Sequence, residues 1–267
     1  TNLSFDTTFE NNNSEKWLKE GSLINVYNQN LNEKFNLKFS SALETSKNYI
    51  QQTNPSSDLS YSSSLHTSID IYGYNLNKVD DKFRINLSNY QSNQSGEDNK
   101  TLPTIIPYIE FYSGEISTKE FKYSNNLEFY NIMRDNASGI HSKSQRKVSS
   151  RTNMNKEFIK YSSKINLETN IYNQFFNTEN KAIDDKFVTS SYFRSFPIFA
   201  ITTKTPFKIK NSRNSLTYTP GLKLVITPGM SNSHKLSNED SSISSYTIQN
   251  NSNLNRYSGT DKLDNSK

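Results

Sequence analysis

Apolar and polar residues alternate one for one in stretch after stretch of this 267-residue chain. Phe35, Leu37 and Phe39 alternate with Asn36, Lys38 and Ser40. Leu65, Thr67, Ile69, Ile71 and Gly73 form one side of a second stretch, with His66, Ser68 and Asp70 on the other. Phe83, Ile85 and Leu87 repeat the pattern, as do Ile165, Leu167, Thr169 and Ile171. The longest stripe is Leu216, Tyr218, Pro220, Leu222, Leu224 and Ile226. Successive side chains of an extended strand point to opposite faces, so each stretch predicts a strand with one apolar and one polar face. Lys16–Glu20 is the best helical fragment, and it is short. The expected class is therefore all-β and antiparallel.

A sheet of this kind has to cover its apolar faces. A second layer is one solution, and lipid is the other. Hydrophobic residues make up only 32% of the chain, below the roughly 45–50% (Gly included) of ordinary domains. Asn and Ser together supply 37 + 41 = 78 positions. The 16 Tyr and 16 Phe argue against a disordered polar chain, which is poor in aromatics. The longest apolar run, Phe196–Ile201, falls far short of the roughly 20 residues of a membrane helix. The absence of cysteine excludes disulfides and Cys-based zinc sites. Polar segments separate the stripes: Gln51–Ser64, Gln91–Lys100, Ala137–Lys156 and Ser231–Ser245. These exceed the usual connections of about 4–6 residues. Asn77–Lys82 and Asn180–Lys186 read as shorter hairpin turns. Long loops at one end and short turns at the other is the organisation of an outer-membrane barrel. A soluble two-sheet structure remains the alternative.

Chemistry is sparse. His66, His141 and His234 lie far apart, without partners at ligand spacing, so no metal site is expected. Asp80–Asp81 and Asp184–Asp185 sit beside Lys in predicted turns, where Asp is favoured for its local hydrogen bonds. No nucleophile elbow, P-loop or dinucleotide fingerprint occurs. An enzyme and a cofactor are not expected. The net charge is +5, and its one basic cluster, Lys143, Arg146, Lys147, Arg151 and Lys156, is weak support for nucleic acid.

The last third of the chain carries an ordered series: Arg194, Phe196–Pro197, Thr205–Pro206, Leu216, Pro220, Glu239–Ser241, then Asn253–Leu254, Arg256, Gly259 and Asp261. Leu102–Pro103 and Ile106–Pro107 precede Tyr108–Tyr112. This series resembles the barrel domain of the lipopolysaccharide-assembly outer-membrane protein LptD, the organic-solvent-tolerance protein family. The resemblance runs from about residue 101 to 267; the first 100 residues match in pattern only. Asn255 and Lys262 depart from the family, which often has Phe and Arg there, and its cysteines are absent. Proline cannot donate to a ladder, so Pro197, Pro206 and Pro220 are expected at bends or bulges.

The resemblance implies a fragment, residues 1–267, of one transmembrane β-barrel: about 10–12 strands of a barrel of about 26. The periplasmic jelly-roll and the gate strands would lie outside it, the chain being read as cut at both ends. It further implies transport and insertion of lipopolysaccharide into the outer leaflet of a Gram-negative outer membrane. The implied partners are lipopolysaccharide, a plug lipoprotein (an LptE-like subunit), a periplasmic lipopolysaccharide-bridge protein reached through the jelly-roll, and outer-membrane lipid. Leu222, Leu224 and Ile226 would face lipid. Tyr108, Phe111, Tyr112, Tyr192 and Phe193 are candidates for aromatic girdles. Arg256 and Asp261 could pair in or near an extracellular loop, although simple solvated loop charges are the favoured reading, because exposed ion pairs are weak. The alternatives are another outer-membrane barrel (a porin or TonB-type receptor) and a secreted β-rich binding protein.

Overall fold

A computed structural model describes residues 4–10, 20–77, 80–94, 98–139, 141–210, 215–242 and 253–264. The helical fragment expected at 16–20 falls outside them except for Glu20, which begins a strand. The described residues are almost entirely strand: β1 (Ser4–Glu10), β2 (Glu20–Asn30), β3 (Phe35–Glu44), β4 (Ser64–Tyr74), β5 (Lys82–Ser92), β6 (Thr104–Tyr112), β7 (Ile116–Ser117), β8 (Lys122–Met133), β9 (Ser144–Lys160), β10 (Ser163–Ile183), β11 (Lys186–Lys204), β12 (Phe207–Lys210), β13 (Ser215–Tyr218) and β14 (Gly221–Ile226). One short helix, α1 (Tyr49–Thr53), lies between β3 and β4. None of the described helices is long and apolar enough to cross a membrane.

Twelve strands form one antiparallel sheet in the order β1-β2-β3-β4-β5-β6-β8-β9-β10-β11-β14, with the short β7 beside β8. Apart from β7 and the separate β12–β13 ladder, neighbours in sequence are neighbours in space, as expected where each strand can pair with the next through one connection. The sheet is open, with β1 and β14 at its edges. Connections 45–63, 93–103, 134–143 and the two-residue 184–185 emerge at one end, and 31–34, 75–81, 113–121, 161–162 and 205–220 at the other. Long and short connections thus occur at both ends, and the two Asp-pair turns fall at opposite ends; the end of 45–63 is called the loop end below.

Register sorts the alternating residues onto two faces. On the apolar face one row of directly paired residues crosses eight strands without a break: Leu37, Ile71, Ile85, Ile109, Phe129, Val148, Phe175 and Phe193. Leu167, Ile201 and Leu224 make a parallel row, as do Thr169, Phe199 and Ile226. The neighbouring row on the polar face reads Lys38, Asp70, Asn86, Tyr108, Tyr130, Lys147, Phe176 and Tyr192. Burial is inverted relative to a soluble sheet. Lys147, Gln174 and Gln145 are 0% exposed, while Val148, Phe175 and Phe193 are 54%, 47% and 64% exposed.

The structure corrects several expectations. Ala137–Lys156 is not simply a loop, because Ser144–Lys160 is β9. Ser144, Arg146, Ser150 and Thr152 share the face of Val148, so the alternation is hard to see in the letters. Pro197 makes no bulge: it pairs with Ile171 in an unbroken ladder. Pairing of β11 with β14 stops at Phe199, so the missing N–H of Pro197 falls where that second edge is free. Pro206 and Pro220 do mark a break. There the β11–β14 ladder ends, the separate β12–β13 ladder begins, and the Thr205 N–H donates to the Pro220 carbonyl. Tyr108, Tyr112 and Tyr192 lie on the polar face, leaving Phe111 and Phe193 on the apolar one. Both Asp pairs sit at turns, with φ of 70° at Asp80 and 46° and 62° at Asp184 and Asp185.

Candidate functional site

Past β14 the chain turns back as a strap, described over 227–242 and 253–264, and packs on the polar face of β8–β11. Leu254 and Leu263 are its apolar anchors, seated with Tyr172, Phe196, Ile198 and Ala200. Alternation along β10 and β11 puts those four residues on this face, while Phe175 and Phe199 point the other way.

Charge holds the rest of the strap. Lys147, fully buried, meets three carboxylates: Asp240 at 2.8 Å, and Glu128 and Asp261 at 3.0 Å each. Its ammonium also lies 4.5 Å from the centre of the Tyr130 ring, a favourable place for a cation. The two strap aspartates brace each other. The Asp240 carboxylate accepts from the backbone N–H of Thr260 and Asp261, and the Asp261 carboxylate accepts from those of Glu239 and Asp240. Two strap segments about 20 residues apart thus cap each other over one lysine. Gly259 lets them approach, since a Cβ there would lie 2.3 Å from the Asp240 carbonyl oxygen.

Arg194 closes the second side. Its guanidinium donates to the carbonyls of Thr260 at 2.6 Å and Asp261 at 2.9 Å, and to Gln174 and Asn232. Arg134 grips Glu239 with two bonds of 3.1 and 2.6 Å, and His141 lies 3.3 Å from the same carboxylate. Burial works against the Glu239 charge, but His141, Arg134 and Ser237 outweigh it and hold its carboxyl near 2. Burial, opposed by Lys147, raises Asp261 above the usual range for a carboxyl. Asp240 stays below that range because Lys147 and the backbone donors outweigh its burial.

The predicted site residues divide clearly. Arg194, Gly259 and Asp261, together with Glu239–Ser241, converge at this clamp although they span 68 positions between Arg194 and Lys262. Arg256 does not pair with Asp261. It pairs with Asp264, which is buried, and its own side chain is only 10% exposed, so neither is a solvated loop charge. Pro206 and Pro220 flank the β12–β13 hairpin, Pro197 lies within β11, and Leu222, Leu224 and Ile226 are exposed on the apolar face. Lys147, Tyr130, Gln145 and Arg134 were not singled out for this role. The available signal was the alternation of Gln145, Lys147 and Ser149 with Arg146, Val148 and Ser150. The basic cluster of 143–156 is split by that alternation: Lys147 and Arg151 lie on one face, Arg146 and Lys156 on the other.

Away from the strap, the polar face of β4–β6 is tyrosine-rich. Arg84 forms two bonds to Asp70 and lies 5.5 Å from the ring centres of both Tyr72 and Tyr108. A cavity of about 480 Å³ opens beside it, lined by Tyr72, Tyr74, Glu110 and Tyr112. His66 stacks on Tyr90 at 4.5 Å. His234 lends its carbonyl to Lys181. Among the described residues no group of three or more His, Cys, Asp or Glu is placed to hold a metal ion. The arrangement of the clamp fixes a chain segment to the sheet. The chain matches no protein-family model, and no curated protein matches it.

Proposed function

We propose that this chain is wall and lumen of an outer-membrane β-barrel that transports lipopolysaccharide and inserts it into the outer leaflet. The observation that carries the reading is the inverted polarity of the sheet. An unbroken apolar row runs from Leu37 to Phe193, partly exposed over its first five strands and exposed at Val148, Phe175 and Phe193, while Lys147, Arg194, Asp70 and Asp261 are buried on the opposite face. Monomeric soluble proteins rarely expose apolar patches beyond a few hundred Å². A row of eight strands, about 4.8 Å apart, extends well beyond that scale. Lipid tails are the solvent such a face requires, and Leu222, Leu224 and Ile226 extend it to the β14 edge. The convergence of Arg194, Glu239–Ser241, Gly259 and Asp261 gives the resemblance to LptD a physical core. Residues that carried it separately in sequence build one clamp.

The partners follow from this reading. The polar face would line the lumen and meet the plug lipoprotein, and the apolar face would meet outer-membrane lipid. The test has two readouts on the full-length protein. Membrane fractionation and heat-modifiable gel migration should place it in the membrane as a folded barrel; recovery as a soluble protein would overturn the barrel reading. Depleting the protein in its own cell should lower lipopolysaccharide at the surface. A folded barrel whose depletion leaves surface lipopolysaccharide unchanged points to a porin or a TonB-type receptor.

A further inference from the structure

At the loop end, the apolar face runs into a hollow of about 1090 Å³. Register places Leu23, Leu43, Met133, Arg146 and Glu179 of its lining as a continuation of the rows described above, while Glu44 and Tyr90 reach it from the polar face. Leu43 follows Leu37 and Phe39 along β3, with Leu23 paired opposite. Met133 follows Leu127 and Phe129 along β8. Arg146 precedes Val148 on β9, and Glu179 follows Phe175 on β10. Along one face, then, the lining changes from aliphatic to charged. Lys143 and Asp135 complete the charged rim, in the connection between β8 and β9.

We infer that this hollow binds one zwitterionic glycerophospholipid, its phosphate between Lys143 and Arg146, its amine toward Asp135 and Glu179, and its acyl chains over Leu23, Leu43 and Met133. This rests on the reading of the apolar face as lipid-facing. Three features select the ligand. The rim carries both signs, with Arg146 and Glu179 3.7 Å apart, which suits a headgroup with both signs better than a bare anion. The apolar part leads directly onto the exposed rows, so chains leaving the hollow would stay out of water. Its volume exceeds the roughly 300–1,000 Å³ of pockets for drug-sized ligands, leaving room for a headgroup and the first part of its chains. Arg134 also borders the hollow, but its guanidinium is committed to Glu239.

The test uses the full-length protein in detergent, titrated with short-chain phosphatidylethanolamine below its micelle concentration. Short-chain phosphatidylglycerol and inorganic phosphate serve as comparisons. Saturable binding of phosphatidylethanolamine is expected, with affinity lowered about tenfold in a Lys143→Glu/Arg146→Glu variant whose heat-modifiable migration is unchanged. Equal binding by the variant, tighter binding of phosphatidylglycerol, or competition by inorganic phosphate would each overturn it. Should the double variant fail to assemble, Met133→Glu in the apolar part carries the same expectation. Failure of the lipid-facing reading shows separately, as recovery in the soluble fraction; the titration still applies to that soluble protein and decides the hollow on its own.

Discussion

At the scale of single residues, the clamp depends on Lys147. A lysine without its partners would not remain in a buried site, and three buried carboxylates would repel one another without it. Replacing Lys147 with Met leaves Glu128, Asp240 and Asp261 uncompensated and is expected to cost about 3–5 kcal/mol. Hydrogen exchange at the amides of Thr260, Asp261 and Leu263 should report it as loss of protection. Unchanged protection would show that Leu254 and Leu263 alone hold the strap. The sequence announced only part of this. Arg194, Gly259 and Asp261 stood out through their ordered spacing, but Lys147 looked like one charge in a basic run. Its role depends on an aspartate 114 positions away, and no local pattern encodes such a partner. The candidate Arg256–Asp261 pair does not form for the same reason: five residues apart in sequence, the two turn to different partners.

Among the elements, β9, β10 and β11 are the longest, at 17, 21 and 19 residues. Strands of about 9–11 residues span a bilayer core, so on the membrane reading these project beyond it. A two-residue turn, Tyr161–Ser162, joins β9 to β10 with φ of 50° and 61°. Such turns favour Asn-Gly, because both positions need the left-handed region that L side chains with a Cβ resist. The double substitution Tyr161→Asn/Ser162→Gly is expected to stabilise the sheet by about 1 kcal/mol, read as a higher urea midpoint in detergent. A lower midpoint would mean that the exposed Tyr161 ring contributes more than the backbone strain costs. Strand identity was legible where one face is aliphatic, as in β3, β4 and β5. It was lost in β9, where Ser144, Arg146, Ser150 and Thr152 share the face of Val148 and blur the alternation. The polar segment Gln51–Ser64 begins inside α1, whose Ile50 packs with Ala42 and Leu65, a helix too short to leave a periodic signal.

For the whole molecule, the apolar face and the strap predict responses to solvent. Leu224→Arg is expected to cost about 2–4 kcal/mol if that position sits at the bilayer midplane, seen as loss of the heat-modifiable band; undiminished assembly would argue against the proposed facing. Acid acts on the strap in two opposing ways. Glu239, held near 2 against an ordinary 4.5, contributes stability above pH 4.5 that is lost as pH falls toward 2. Asp261 is raised, so its ionised form costs stability at neutral pH and protonation relieves that cost. The strap should therefore stay docked through mild acid and release only between pH 4.5 and 2, followed by exchange protection at Leu263; release already at pH 6 would contradict this sign. The position of the strap also sets a timetable. Tyr130 and Asp261, bonded at 2.8 Å, are 131 positions apart, and contacts so distant in sequence form late and slowly. During synthesis β8–β11 must emerge with Lys147 facing nothing but water, and they can dry that face only when the last described residues arrive. Until the strap docks, this face of the sheet is an unfinished intermediate, open to whatever assists or degrades nascent chains.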